Sequence, residues 1–216
     1  MKRRDFTLAT ALAATTAAVP MMAQAQSGKK PEEGVDYLAL DKRVPTDVGE
    51  GKVEVIEFFW YSCPHCNAFE PRFAAWLKNL PKDVVVKRVP VRFRDDFEPQ
   101  QRTYYVFEAL GMVDALHSKL FHAVHVEHLP LNTPAALAAW TDKNGIPAQK
   151  FIDTYNSFGV VSKARRATQL QEAFKVQGVP ALGIAGRFYT DGSLTQSMER
   201  ALQVTDYLIG EVRRGR

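Results

Sequence analysis

Two apolar runs, at residues 53–60 and 84–91, have the β-branched and aromatic composition of buried strands. Between them, apolar residues recur at three- and four-residue spacing from 64 to 80, which predicts an amphipathic helix. Pro71 lies inside that helix and is expected to kink it, because proline removes one backbone hydrogen bond. A strand, a helix and a second strand in this order predict a parallel βαβ unit.

A block of helices follows the second strand. Glycines and prolines punctuate it, and the periodicity predicts helices at 101–110, 113–127, 134–144, 147–158 and 162–175. Three short strands, the first of them at a sheet edge, and a last helix complete the pattern, at 35–40, 179–184, 187–190 and 197–212. Asp191-Gly192 predicts a turn before that last helix. The whole order predicts a split α/β domain with a helical insertion.

The first 25 residues have the pattern of a cleaved secretory signal peptide. Residues 2–4 are basic, the stretch 6–19 is weakly apolar and too short to span a bilayer, and small residues follow it. The order Arg3-Arg4-Asp5-Phe6 also resembles a twin-arginine signal, so the Sec and twin-arginine routes both stay open. We expect the mature chain in the Gram-negative periplasm, where disulfides form and persist.

Composition narrows the class of protein further. Residues 26–34 are polar and predict a flexible leader. Residues 1–25 hold three basic residues and one acid, so their removal from a chain of net charge +4 leaves +2. That charge is too small to argue for nucleic acid or acidic lipid as a partner. A hydrophobic fraction of 46% predicts one compact unit with a sizeable core.

The chain has only two cysteines, in the motif Cys63-Pro64-His65-Cys66 at the start of the predicted helix. A helix N-terminus carries partial positive charge and free backbone N–H groups, and both favour a thiolate. Cys63 is therefore predicted to be the nucleophile of a thiol–disulfide exchange, and a positively charged His65 would stabilise its thiolate further. Cys66 lies one turn into the helix on the apolar side, so it is predicted to be the resolving thiol.

Two other interpretations of the cysteine pair stay open, namely an inert structural disulfide and half of a zinc site. Zinc would need further ligands, and the available cluster is His117, His122, His125 and His128. These histidines fall in one helical stretch with apolar residues, and we expect them to form a polar helix face. Asn67 follows Cys66 where a c-type haem motif requires histidine, so that cofactor is excluded.

Several features together resemble the DsbA-type disulfide oxidases of the thioredoxin superfamily. Pro64-His65 is the dipeptide typical of that family, Glu57 matches its buried acid before the active site, and Val179-Pro180 matches its cis-proline pair. The resemblance implies a thioredoxin fold with an inserted helical domain. The thioredoxin-like domain would comprise 35–96 and 176–216, and the inserted domain 97–175.

The resemblance also implies the activity. The Cys63–Cys66 disulfide would pass to reduced exported proteins through a mixed disulfide at Cys63, with no cofactor, in a protein that is monomeric. Val179 and Pro180 would bind an extended substrate segment. A quinone-coupled membrane protein of the DsbB type would reoxidise the enzyme. A reductase or isomerase of the same fold, or a thioredoxin-like binding or chaperone module, remains as an alternative.

Glu57 and the aromatic residues near the motif give further expectations. A carboxyl group buried in an apolar strand has a raised pKa unless a cation pairs with it. Lys87 and Arg88, on the next strand, are the candidate cations, and Arg88 is preferred. An apolar substrate surface near the cysteines is expected from the aromatic side chains of Trp60, Tyr61 and Phe69, and for Phe69 a place in the core is an equal alternative.

Overall fold

The computed structural model describes residues 29–215. The predicted signal peptide, 1–25, lies outside these residues, as does the predicted leader up to residue 28. Five strands form one sheet: β1 (Leu38–Ala39), β2 (Val53–Phe59), β3 (Val84–Pro90), β4 (Ala181–Ile184) and β5 (Phe188–Asp191). Their order across the sheet is β1-β5-β4-β2-β3.

Eight α-helices occur in the described part of the chain. They are α1 (Pro64–Leu77), α2 (Glu98–Ala109), α3 (Val113–His125), α4 (Pro134–Asp142), α5 (Ala148–Tyr155), α6 (Phe158–Ala173), α7 (Gly192–Thr195) and α8 (Met198–Arg213). A single 3₁₀ turn, Asp95–Phe97, precedes α2. Helices α2 to α6 lie between β3 and β4 and are called the helical insertion below. The predicted order of a βαβ unit, a helical block and a ββα unit is confirmed.

Strand β2 is the centre of the sheet and carries the functional motif at its end. It pairs with β3 in parallel and with β4 in antiparallel orientation. All seven of its residues are buried, because both faces of the sheet are covered. Val55 packs into a core with α1 and α8, whereas Phe58 belongs to the core shared with the helical insertion. The parallel register places Glu57 opposite Arg88.

Helix α1 begins directly after the turn that follows β2. Cys63 is its N-cap residue, and Pro64 occupies the first turn, where a missing N–H costs nothing. Pro71 lies inside the helix, as predicted. The helix ends at Leu77, three residues before the predicted end, and the next residues form tighter turns in which Asn79 N donates to Trp76 O and Leu80 N to Leu77 O. Pro81 disfavours helical backbone at Leu80 itself.

Two element boundaries differ from prediction because side chains cap helices there. Helix α6 begins at Phe158 rather than at 162, since Ser157 Oγ accepts a hydrogen bond from Val160 N at 3.3 Å. The segment predicted as a turn after β5 continues instead into the short helix α7. Asp191 caps it, and its Oδ1 accepts hydrogen bonds from Ser193 N and Leu194 N, both at 2.9 Å.

Strand β1 is at the edge of the sheet, as predicted, but has only two residues of the predicted 35–40. The residues before it form a hydrogen-bonded turn instead, in which Gly34 N donates to Tyr37 O at 2.8 Å and Asp36 N to Glu32 O at 2.9 Å. Among residues 29–215, no helix combines the length and the apolar character needed to cross a bilayer.

Candidate active site

Cys63 lies at the N-terminus of α1, after the turn that follows β2, and its thiol is free. The side chain is 7% exposed, and its Sγ donates to the carbonyl oxygen of Val179 at 3.3 Å. A hydrogen bond from the Cys66 thiol lowers the pKa of Cys63 to about 6, with help from the backbone N–H groups of Cys66 and His65 and from the charge of His65, against the effect of burial. These donors come from the first turn of α1, whose N–H groups have no partner within the helix.

Cys66 differs from Cys63 although it is only one turn away. It is 1% exposed, and burial raises the pKa of its thiol well above the usual value. The hydrogen bond and negative charge of Cys63 raise that pKa further, and so does the charge of Glu57. The pair therefore joins a thiol that ionises readily to one that holds its proton.

Pro64 and His65 are both exposed at the start of α1. The backbone N–H and the charge of His65 both help to lower the pKa of Cys63. Pro64 makes no such contribution, since it lacks a backbone N–H.

Glu57 is fully buried in β2, and Arg88 Nη1 donates to its Oε2 at 2.8 Å. The preferred pairing with Arg88 is confirmed, whereas Lys87 pairs with Asp47 and, at 3.1 Å, with Glu54. Burial raises the pKa of Glu57 to about 8 although a cation pairs with it. The cation does not cancel burial, because Arg88 is shared with a second acid and the charge of that acid, Glu70, opposes ionisation of Glu57.

The second oxygen of Glu57, Oε1, has no hydrogen-bond partner among the described residues and no contact with solvent. A buried carboxylate oxygen without a partner is costly, whereas a protonated carboxyl group is not charged. The geometry therefore agrees with the raised pKa. It leaves Glu57 able to hold one proton in the buried half of the site.

The rest of this cluster was not predicted from the sequence and consists of Glu70 on α1, His117 on α3 and the hydroxyl group of Tyr61. Arg88 donates to both oxygens of Glu70, at 3.3 Å to Oε2 and at a short distance to Oε1. His117 Nε2 lies 2.7 Å from Arg88 Nη1, and Tyr61 Oη lies 2.8 Å from His117 Nδ1. Glu70 follows Cys66 by four residues, so its place on the apolar side of α1 was a signal that was available.

The expected polar face of four histidines is wrong for His117, which is 4% exposed. Leu116, Leu120 and Phe121 of the same helix are buried beside it, so this residue belongs to the core-facing side of α3. His122 and His128 are exposed, and His125 is half-buried with its Nε2 donating to Tyr61 O at 2.7 Å. Within residues 29–215, no group of three His, Cys, Asp or Glu side chains is arranged to hold a metal ion.

The surface beside the cysteines also differs in part from expectation. Tyr61 and Phe69 are buried, so neither can line a substrate surface. Trp60 is half-buried and stacks on Phe97 with a centroid distance of 3.8 Å. The peptide bond between Val179 and Pro180 is cis, as the resemblance implied.

A cleft of about 540 Å³ lies between the N-terminus of α1 and the segment that contains Val179 and Pro180. It is lined by residues that include His65, Val179, Pro180, Gln196 and Met198. The two residues expected to bind substrate and the exposed end of the cysteine motif thus open onto the same cleft.

The chain is similar to known proteins over nearly its whole length. The profile of the DSBA-like thioredoxin domain family matches residues 86–203. A thiol:disulfide interchange protein DsbA of Burkholderia cepacia is 39% identical over 88% of this chain and 90% of that protein. The protein of the same name from Bordetella parapertussis is 40% identical over 95% of each chain.

Solved structures give the same result. The crystal structure of Pseudomonas aeruginosa DsbA superposes with a TM-score of 0.80 at 36% identity, covering 84% of this chain and 94% of that one. The crystal structure of the oxidoreductase DsbA from Xylella fastidiosa superposes with a TM-score of 0.80 at 30% identity, covering 86% of this chain and 99% of that one. The matched regions are long enough to include both the sheet and the helical insertion.

Proposed function

The chain belongs to the DsbA family of thiol:disulfide oxidoreductases, and from that membership we propose how its own residues carry out the exchange. Its activity is that of a thiol:disulfide oxidase with a thioredoxin fold and a helical insertion. The observation that carries the oxidase assignment is the lowered pKa of Cys63, about 6. A stabilised thiolate stabilises the dithiol state, so the disulfide form is readily reduced by substrate thiols.

The exchange itself needs only sulfur atoms and protons. A substrate thiolate attacks Cys63 Sγ of the oxidised enzyme, the Cys63–Cys66 bond breaks, and Cys66 leaves as a thiolate. A second substrate thiolate attacks the substrate sulfur of this mixed disulfide, and Cys63 leaves as a thiolate. The substrate loses two electrons to form its disulfide, and the enzyme gains them as a dithiol.

We assign the proton for the leaving Cys66 to Glu57. Cys66 holds its proton at neutral pH because burial raises its pKa, so a proton must reach it when the disulfide opens. Glu57 has a pKa of about 8 and an oxygen without a protein partner, so it carries a proton that it can give up. Transfer through one water molecule would suffice.

Substrate binding is assigned to the cleft beside Val179 and Pro180. The Val179 carbonyl oxygen lies 3.3 Å from Cys63 Sγ, so a peptide segment held against this backbone has its cysteine beside the nucleophile. Reduced exported proteins are the proposed substrates. A quinone-coupled protein of the DsbB type is the proposed electron acceptor, because the chain belongs to the DsbA family. The periplasm is the proposed location, and the N-terminal pattern of a secretory signal supports it.

The equilibrium of the Cys63–Cys66 disulfide with glutathione tests this proposal. We expect the disulfide to be reduced by glutathione at concentrations that leave structural disulfides intact, because the Cys63 thiolate stabilises the product. The same protein must oxidise a reduced model substrate in stoichiometric amount. A reduction potential below about −300 mV, typical of structural disulfides, would overturn the oxidase assignment.

A further inference from the structure

His117 is a buried ionisable residue to which the exchange assigns no role. It projects from α3 of the helical insertion into a ring of aromatic side chains, with ring centroids at 5.1 Å (Phe59), 5.2 Å (Phe121), 5.3 Å (Tyr61) and 5.9 Å (Tyr104). Its two nitrogen atoms nevertheless have polar neighbours, Arg88 and Glu70 at Nε2 and Tyr61 Oη at Nδ1. A core histidine that meets the charge cluster in this way is placed to influence it.

The hydrogen atoms on Arg88 Nη1 are too few for its neighbours. One guanidinium nitrogen of this kind carries two hydrogens. Nη1 faces three acceptor atoms: Glu57 Oε2 at 2.8 Å, His117 Nε2 at 2.7 Å, and Glu70 Oε1 at a short distance. One of the three contacts therefore lacks a hydrogen from Nη1 at any moment.

The distances indicate that His117 takes one of these hydrogens. Nε2 is 2.7 Å from Arg88 Nη1 but 3.3 Å from Glu70 Oε1, so its shorter contact is to a donor. Two N–H groups facing each other at 2.7 Å would repel, so Nε2 presents its lone pair to the guanidinium. The imidazole hydrogen is then on Nδ1 and points to Tyr61 Oη at 2.8 Å. Burial lowers the pKa of His117, which keeps the imidazole neutral and able to accept.

We propose that His117 is a positioning residue that occupies one of the two Nη1 hydrogens of Arg88 and thereby keeps Glu57 in its proton-bearing form. With His117 in place, Glu57 and Glu70 compete for the one hydrogen that remains, and ionised Glu57 is poorly stabilised. The helical insertion thus sets the proton affinity of an acid on the central strand. The importance of this effect for catalysis rests on the role proposed for Glu57.

The other charged and titratable groups that face Glu57 come from every element around it. Arg88 of β3 favours ionisation of Glu57, and Glu70 opposes it. The remaining groups are Cys66 of α1, Tyr104 of α2 and Tyr61 in the turn before α1. Burial raises the pKa of Tyr61, of Tyr104 and of Cys66, so these three groups stay neutral in the pH range in which Glu57 titrates.

The pKa of Glu57, followed by ¹³C NMR of its side-chain carboxyl carbon in the full-length reduced protein, is the direct test. His117→Phe keeps a ring in the aromatic pocket but returns the hydrogen to the carboxylates. We expect the pKa of Glu57 to fall by about one unit, a tenfold change in its ionisation ratio. His117→Gln offers an amide oxygen to Arg88 and should restore the wild-type value. His122→Gln, which removes an exposed histidine from the same helix, should leave it unchanged.

Tyr61→Phe tests the same idea without touching the histidine. It removes the acceptor for Nδ1–H, so the imidazole hydrogen should move to Nε2 and bind Glu70, and the pKa of Glu57 should again fall. The ¹⁵N shifts of His117 in the wild-type protein report the tautomer directly. Hydrogen on Nε2 in the wild type, or an unmoved Glu57 pKa in both His117→Phe and Tyr61→Phe, overturns the proposal.

Turnover separates this inference from the proposed function. A lower Glu57 pKa with unchanged turnover at neutral pH would support the coupling to His117 and would count against Glu57 as proton donor. The opposite outcome is a Glu57 pKa that stays unchanged in His117→Phe and Tyr61→Phe, together with a loss of turnover in Glu57→Gln. It would count against the coupling to His117 and would support Glu57 as the proton donor. If His117→Phe fails to fold, Tyr61→Phe and the tautomer of the wild type decide the matter.

Discussion

The two cysteines belong to two regions that differ in how they are built. Cys63, Pro64 and His65 are neighbours in sequence at the start of α1, and backbone N–H groups of the first helical turn stabilise the Cys63 thiolate. Around Cys66, the side chains come from β2, β3, α1 and α3, and burial dominates. One region favours charge and the other excludes it.

This difference explains why a single disulfide can act as an oxidant. Opening the bond creates two sulfur atoms with opposite proton demands, one that is stable as a thiolate and one that needs a proton. The first region is called the exposed region because Pro64 and His65 are exposed, and it stabilises the Cys63 thiolate without any change in protonation. The region around Cys66 is called the buried region, and it must supply a proton from Glu57. The rate of exchange and its equilibrium therefore depend on different halves of the site.

The largest expected effect concerns ionisation of Cys63 in the reduced protein. Its pKa of about 6 lies far below the reference value of 9.0, so the thiol is mostly ionised at neutral pH. Thiolate absorbance during acidification should therefore show a midpoint near pH 6. The Cys63→Ser variant, in which this absorbance step should vanish, is the control.

The low pKa of Cys63 should also be visible in how the stability of the reduced protein depends on pH. The folded reduced protein loses the Cys63 proton near pH 6 and the unfolded one near pH 9, so the unfolded state binds more protons in between. The stability of the reduced form should thus be fully enhanced above pH 9 and should lose this enhancement as the pH falls through 6. A reduced form whose stability relative to the oxidised form is flat across this window would contradict the comparison of the two regions.

Glu57→Gln should give the next largest effect, and it acts on the buried region alone. Loss of the proton donor should slow oxidation of a model substrate by about tenfold or more, while the equilibrium with glutathione changes less. Measurement of both quantities on one preparation separates rate from equilibrium. Equal changes in the two would mean that Glu57 acts on the stability of the dithiol and not on proton transfer.

The same variant should change how stability depends on pH. Glu57 has a raised pKa, so the folded protein holds a proton that the unfolded chain loses near pH 4.5, and the contribution of Glu57 to stability falls as the pH rises from 4.5 to about 8. In the oxidised form, Cys63 does not titrate and this contribution is seen alone. Glu57→Gln removes this slope and should be the more stable protein at pH 8. Denaturant unfolding at pH 5 and pH 8 provides the measurement. A variant that is less stable than wild type at both values would show that Arg88 depends on Glu57 for its burial.

Sequence reasoning succeeded where neighbours in space are neighbours in sequence or in a regular sheet. The motif predicted that Cys63 lies at the start of α1 and Cys66 on its buried side, as observed. Parallel strand pairing predicted Arg88 as the partner of Glu57, which the register confirms. It failed where a contact depends on how two helices that are distant in sequence pack against each other. His117 is 47 residues from Glu70, and only the packing of α3 against α1 reveals that they meet.

The burial of Tyr61, which was expected at a substrate surface, and of Phe69, for which surface and core were equal alternatives, has a related cause. Both are aromatic residues near the cysteines, and an apolar residue near a site can serve either the core or a substrate surface. The spacing of Phe69 from Cys66 and Phe73 fits the buried side of α1, where all three residues lie. For Tyr61, burial follows from the helical insertion that covers it, which local sequence does not encode.

The smallest expected effect comes from His65, in the exposed region. Its charge contributes to the low pKa of Cys63, but this contribution is smaller than those of the Cys66 thiol and of the backbone N–H groups. His65→Gln keeps the backbone N–H and removes only the charge, so the pKa of Cys63 should rise by less than about one unit. The glutathione equilibrium should shift by a few-fold toward a weaker oxidant. Because His65 is exposed, 1 M salt should screen the effect and bring wild type and variant closer together. A tenfold or larger loss of oxidising strength on His65→Gln would mean that the side chain, and not the helix N-terminus, supplies most of the thiolate stabilisation.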